Sequence, residues 1–230
     1  MNGIWILLVL ILTAALPVII VFLWFRITKS TVTLPWFLVS LAAGIISLLA
    51  AALIQDLVPS FDLRGQERPR FLFYNVFIRI ALLEETSRII TLIPLLKAGK
   101  RRLSTDRSYA AALGFVAGLG FATLESALYG MADISITLLR VFTAAPLHAA
   151  CGIRVSTAVS NFRQHPLTAP FLFISSVLIH GTYNLMIESP AFPSALAILV
   201  ALAGLITSLP YITGVKNEDK NAIPPELPGC

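Results

Sequence analysis

Long apolar runs separated by short polar breaks repeat along this chain, at about 4–25, 34–54, 71–96, 108–130, 136–160, 170–188 and 192–214. Each comes close to the roughly 20 residues that cross a hydrocarbon core at about 1.5 Å of helical rise per residue. The pattern predicts an all-α polytopic membrane protein, a bundle of about seven transmembrane helices. The last two runs join closely through Ser189-Pro190, so six spans are the alternative. A single helical membrane domain over 1–215 is expected, with a site-bearing core at 71–188 and a short polar cytoplasmic tail at 216–230. The first run has no basic leader and is too long for the roughly 7–15 apolar residues of a signal peptide, so it reads as a retained helix.

Composition agrees with this pattern. The chain is 57% hydrophobic and 13% charged, and its mean hydropathy is +0.85, whereas soluble domains carry about 25% charged residues. The net charge of +5 does not point to nucleic acid, because the basic residues fall in short loops between apolar runs rather than on one face. The expected environment is the lipid bilayer. Ten basic residues, among them Arg26, Lys29, Lys97, Lys100, Arg107 and Arg163, fall on one side of the membrane, whereas the other side pairs Arg64, Arg68 and Arg70 with Asp56, Asp62 and Glu67. The bias places the N-terminus outside and the tail in the cytoplasm. The two cysteines, Cys151 and Cys230, define no disulfide framework.

Polar residues inside apolar runs are the exceptions that carry chemistry. Glu84 and Glu85 lie mid-run with Arg88 one turn on, Glu125 lies in the fourth run, His148 in the fifth, and His180 in the sixth with Asn184 at i+4. An acid at mid-bilayer costs about 2.5–3.5 kcal/mol on insertion scales, and such groups are usually functional. Glu84 and Arg88, four apart, can pair on one helix face, with Glu85 turned about 100° away. Two close carboxylates in a low-dielectric site cannot both ionise cheaply. A glutamate oriented by a guanidinium can act as general base for water, and a histidine can donate to an oxyanion, ligate a metal or relay protons. Glu84 lies 13 residues past Phe71, roughly 20 Å along the helix, and Glu125 lies near the outer end of its run. All four runs can therefore contribute to one cavity that reaches from the outer surface to mid-membrane.

Gly114, Gly118, Ala122 and Ser126 form a small-residue stripe that admits another helix closely, while Phe121, Glu125 and Tyr129 form a separate stripe. His165 lies in a loop and is expected to be solvated. No His-Glu-x-x-His or Gly-x-Ser-x-Gly motif occurs. A divalent metal such as zinc could still be held by His148, His180 and a glutamate, though nothing in the sequence requires one. The same groups could instead serve a proton- or ion-coupled transporter.

Four blocks carry a resemblance: Glu84-Glu85-Thr-Ser-Arg88; Gly120-Phe-Ala-Thr-Leu-Glu125 with Tyr129; Arg140 followed by Pro146-Leu-His148 and Gly152; and His180-Gly-Thr-Tyr-Asn184. In this order they resemble the PrsW family of bacterial polytopic intramembrane proteases, related to the CAAX prenyl endopeptidases and bacteriocin-immunity proteins. The family usually has a lysine where this chain has Arg88, which keeps the charge and adds a bidentate fork, and an asparagine where it has Ser126. The resemblance implies an endopeptidase in a bacterial cell membrane that cleaves a single-span protein, such as an anti-sigma factor, near the extracytoplasmic face. Glu84 or Glu85 would be the base and Glu125 would orient water or a histidine. His148, His180 and Asn184 would stabilise the oxyanion or hold a metal. A non-catalytic immunity or interaction protein is the remaining alternative within that superfamily.

Overall fold

The computed structural model describes residues 3–60, 69–103, 108–193 and 195–213, with Arg101 and Arg102 placed as backbone only. Asp62, Arg64, Glu67, Arg68, Arg107, the 216–230 tail and Cys230 lie outside the described residues.

Every regular element among the described residues is helical. Helices α1 (Gly3–Ala14) and α2 (Leu16–Ile27) form one span broken at Ala15, where Pro17 enters the first turn of α2. Helix α3 (Leu34–Leu57) crosses back. Next, α4 (Pro69–Phe73), a π-helix (Tyr74–Leu82) and α5 (Leu83–Ala98) run on without a break as one rod. The short α6 (Lys100–Leu103) leads to α7 (Ser108–Tyr129), α8 (Ile134–Asn161), α9 (Thr168–Glu188), α10 (Ala195–Ser208) and the final turn α11 (Pro210–Thr213).

Among the described residues, six helices are long and apolar enough to cross a membrane: 3–27, 34–57, 108–129, 134–161, 168–188 and 195–213. The two C-terminal runs are thus separate helices. The rod 69–98 is not among the six, for Arg79, Glu84, Glu85 and Arg88 all fall inside it. It packs inside the bundle against α3, α8 and α9, which screen those charges from the outside. Large side chains such as Leu12, Leu53, Phe142 and Ile206 stay exposed on the outer helix faces, as expected where the surrounding solvent is lipid. The chain is an integral membrane protein.

The centre is the α7–α8 pair. A Cβ on Gly118 would run into the carbonyl of His148, and one on Gly114 into Gly152 and Ser156. The same helix meets α3 through Gly120 against Leu41, and Gly44 of α3 seats on Ala117. Glycine on both sides lets three backbones approach at distances a side chain would forbid. Gly118→Val is accordingly expected to destabilise the fold by about 1–3 kcal/mol through overpacking and to displace His148. Thermal unfolding in detergent measures the first effect, and an unchanged melting temperature would contradict the close crossing.

Aromatic and aliphatic packing fills the end of the bundle nearest Lys29. Phe25, Phe37, Phe115 and Ile153 form one cluster there, and Leu92, Leu95, Tyr109, Leu113 and Val155 another. At the opposite end, Asp133 caps α8 by accepting from the Ser135 amide at 2.9 Å. Those hydrogen bonds hold the Asp133 carboxyl below the ordinary carboxylate range.

Candidate active site

The rod delivers two acids to the middle of the bundle, and three contacts fix where they stop. Ser87 of α5 meets Ser47 of α3 at 3.0 Å. Arg79 donates to the carbonyls of Gln55 and Val58 at the end of α3, at 3.1 and 3.3 Å, satisfying acceptors that a helix terminus leaves open. Gly181 of α9 rests on the ring of Phe77 from the π-helix, closer than any Cβ would permit. The last contact draws α9 onto the rod and brings His180 against both glutamates.

Glu85 is fully buried and completely engaged. Arg88 Nη1 donates to both of its oxygens at 3.0 and 2.7 Å, Ser176 Oγ donates to Oε2 at 3.0 Å, and His180 Nδ1 lies 2.8 Å from Oε1. Glu84 is different. Gln55 Nε2 donates to its Oε1 at 3.2 Å, but the buried Oε2 has no hydrogen-bond partner and faces His180 Nε2 at 3.5 Å. A buried carboxylate oxygen left open is uncommon and calls for a ligand, a water or a catalytic role.

His148 is held at both ring nitrogens, with Arg88 Nη2 at 3.2 Å from Nδ1 and Glu125 Oε2 at 2.7 Å from Nε2. A guanidinium can only donate, so Nδ1 accepts and Nε2–H donates to Glu125. Arg140 pairs with the same Glu125 oxygen and lies 4.3 Å over the ring of Tyr129. The ring of Phe121 underlies both His148, at 4.6 Å, and the Arg88 guanidinium, at 4.8 Å. The two imidazoles stand perpendicular with centroids 5.0 Å apart. One polar chain thus runs from His180 through Glu85, Arg88, His148 and Glu125 to Arg140, linking α9, α5, α8 and α7.

Six of the seven expected residues, Glu84, Glu85, Arg88, Glu125, His148 and His180, come together as a single cluster. Two details of the arrangement depart from what spacing alone suggests. Arg88 pairs with Glu85 at i+3 rather than with Glu84 at i+4. Both spacings share a helix face, and the choice is set by α8 and α9, whose side chains surround Glu85 while Glu84 turns toward Gln55 of α3. Asn184 is half-buried, and among the described residues no hydrogen bond ties it to the cluster. The position one turn the other way along α9, Ser176, makes the contact instead. Sequence reasoning passed over Ser176 and Gln55. The first shares the four-residue spacing of His180 and Asn184, and the second is an isolated amide at the end of an apolar run.

Residues 32–213, from just ahead of α3 to the end of α11, match the model of the PrsW family intramembrane metalloprotease. The chain belongs to the PrsW family. No curated protein and no solved structure matches it. Membership makes the protein one of a family of membrane-embedded proteases, and the metal implied by the family description can be tested against these residues. Glu84, His148 and His180 each place one donor atom within 4.8 Å of the others, all three side chains buried. A carboxylate and two imidazoles are the composition of a three-ligand catalytic zinc site. The orphaned Oε2 of Glu84 is the atom that lacks a partner, and Glu85 backs His180 at Nδ1 as carboxylates back metal-bound histidines. This PrsW-family cluster fits a divalent cation.

Proposed function

We propose that this protein is an endopeptidase that hydrolyses a peptide bond of a membrane-anchored, single-span protein, with Glu84 receiving the proton of the attacking water. The observation that carries this reading is the division of labour between the adjacent acids. Both oxygens of Glu85 are taken up by donors, whereas Oε2 of Glu84 is buried, unpartnered and beside an imidazole.

The roles follow from the contacts. Gln55 holds Glu84 by one oxygen and leaves the other for water. With Nδ1 engaged by Glu85, His180 presents Nε2 toward that same oxygen, so water there can bond to both. Glu85 and Arg88 hold the two imidazoles in place and contribute no proton. His148, with Nε2–H aimed at Glu125, is the donor placed to meet a developing oxyanion once Glu125 turns toward Arg140. In an alternative to these two roles, a divalent ion would be held by Glu84, His148 and His180, with His148 giving up one of the hydrogen bonds at its ring nitrogens, and would supply an acidified water and an electrophile for the scissile carbonyl.

Depth supports an embedded scissile bond. Glu84 and His148 lie near the midpoints of the rod and of α8, and Glu125 and His180 nearer the ends of α7 and α9 at Gly130 and Ser189. On our reading this is the extracytoplasmic side, with the N-terminus outside as the basic-loop bias favours, and the membrane is a bacterial cell membrane as the family likeness implies.

The test uses purified full-length protein, a tagged single-span reporter and metal analysis before and after chelation. Cleavage that disappears with the bound metal and returns on adding Zn²⁺ is expected. Full cleavage by metal-free protein would remove the metal role and leave glutamate-only hydrolysis. No cleavage of any single-span reporter by the metal-loaded protein would overturn the endopeptidase reading.

A further inference from the structure

Arg154 is a second buried guanidinium, and unlike Arg88 and Arg140 it has no acid beside it among the described residues. It sits on α8 six residues past His148, toward the Lys29 end of the bundle. Nε donates to Ser208 Oγ at 2.9 Å, Nη1 to Ser175 Oγ at 2.9 Å and Nη2 to Thr207 Oγ1 at 2.8 Å. Each hydroxyl gives its own proton to its helix backbone: Ser175 to Leu172, Thr207 to Ala203 and Ser208 to Gly204, at 2.7–2.8 Å. The three oxygens are therefore fixed as acceptors aimed at the guanidinium. They hold it in place but supply no negative charge.

A full positive charge in a low-dielectric setting with only neutral partners is costly, so a counter-anion from beyond the described residues is called for. Three of the five guanidinium N–H groups are used, which leaves one hydrogen on each Nη, the pair that grips phosphate oxygens bidentately. Arg154 lies seven residues before the end of α8 and Ser175 seven after the start of α9, about 10 Å below the helix ends. Thr207 and Ser208, which hold Nη2 and Nε, are the last two residues of α10, so the guanidinium is held close to that end of the helix. Thr207 is exposed, and so are Phe171, Ile174 and Ile206 on the same two helices. Arg154 itself is buried, but its Nη2 lies against exposed Thr207, so that edge of the guanidinium sits just beneath the outer seam between α9 and α10, with exposed Lys29 and Arg163 at the same end of the bundle.

We propose that Arg154, cradled by Ser175, Thr207 and Ser208, is a binding site for the phosphodiester headgroup of an anionic phospholipid. The occupant would clamp α8, α9 and α10, two of which carry the imidazoles of the polar cluster.

The full-length protein in detergent is titrated with phosphatidylglycerol, phosphatidylcholine or inorganic phosphate, read by native mass spectrometry and by melting temperature. Phosphatidylglycerol should bind about tenfold tighter than phosphatidylcholine, and Arg154→Gln should lose that preference, as expected for one charge-assisted bidentate contact. Arg154→Lys should keep only part of the preference, because the ammonium lacks the fork. Equal binding of the two lipids by the wild-type protein would overturn the proposal even if no variant folds. So would an equal response to inorganic phosphate, which would mark a free-anion site, or an undiminished preference in a folded Arg154→Gln variant.

Discussion

Glu84→Gln is expected to insert and fold normally yet cleave a single-span reporter about 10²–10⁴-fold more slowly, the range for loss of a positioned general base. The amide matches the carboxylate in shape and removes its charge and proton affinity, and with them most of its value as a ligand beside His148 and His180. Gln55, the partner on Oε1, can turn its own amide to suit the replacement. No ion pair among the described residues joins Glu84 to a guanidinium, so no buried positive charge is stranded. The unpartnered oxygen has no structural bond to lose. Reporter cleavage at matched expression, beside thermal unfolding of the purified variant, measures both halves of the expectation. A folded Glu84→Gln protein with cleavage within a few-fold of wild type would exclude Glu84 as the base.

Arg88→Met should act in the opposite sense, unfolding the protein before catalysis can be assessed. Truncating one partner of a buried ion pair typically costs about 3–5 kcal/mol, because the surviving charge is left buried without compensation. Here the survivor is Glu85, at zero exposure, which would lose two bonds from Arg88 Nη1, while Nδ1 of His148 would lose its donor as well. The double variant Glu85→Gln/Arg88→Met should recover much of the loss, since neither residue is then charged. A double-mutant cycle on melting free energies should give a coupling of the order of 1–3 kcal/mol. Additive single effects would mean that the pair does not act as a unit.

Helix placement was readable because the bilayer imposes it: an apolar run near twenty residues has few other structures open to it. The cluster was readable for a related reason, since acids and imidazoles stand out against an apolar background. What local spacing could not supply was the choice of partner. Arg88 can reach either glutamate by helix geometry, and the selection of Glu85 rests on Ser176 and His180, 91 and 95 residues away in sequence. The four-residue spacing draws attention to Asn184 and passes over Ser176, which lies one turn the other way from His180; the packing of α9 on the rod, with Gly181 against Phe77, is what separates them. The π-helical stretch left no sequence mark, because a change of hydrogen-bond register alters neither the apolar count nor its periodicity enough to notice. Gln55 reads as an ordinary interfacial amide until Arg79 is seen fastening the end of α3 beside the acids.

The balance of charges within the rod bears on how such a segment enters a membrane during synthesis. Between Arg70 and Lys97 at its two ends, Arg79, Glu84, Glu85 and Arg88 sum to zero, and the Glu85–Arg88 bridge closes within a single turn of one helix. The nascent segment can neutralise itself before His148 and His180 have been translated, and Arg79 can moor it to the preceding helix while it waits. Moving one of those four charges to another helix would leave the insertion machinery with a net-charged passenger, and the fault would show as misthreaded topology rather than as an inactive enzyme.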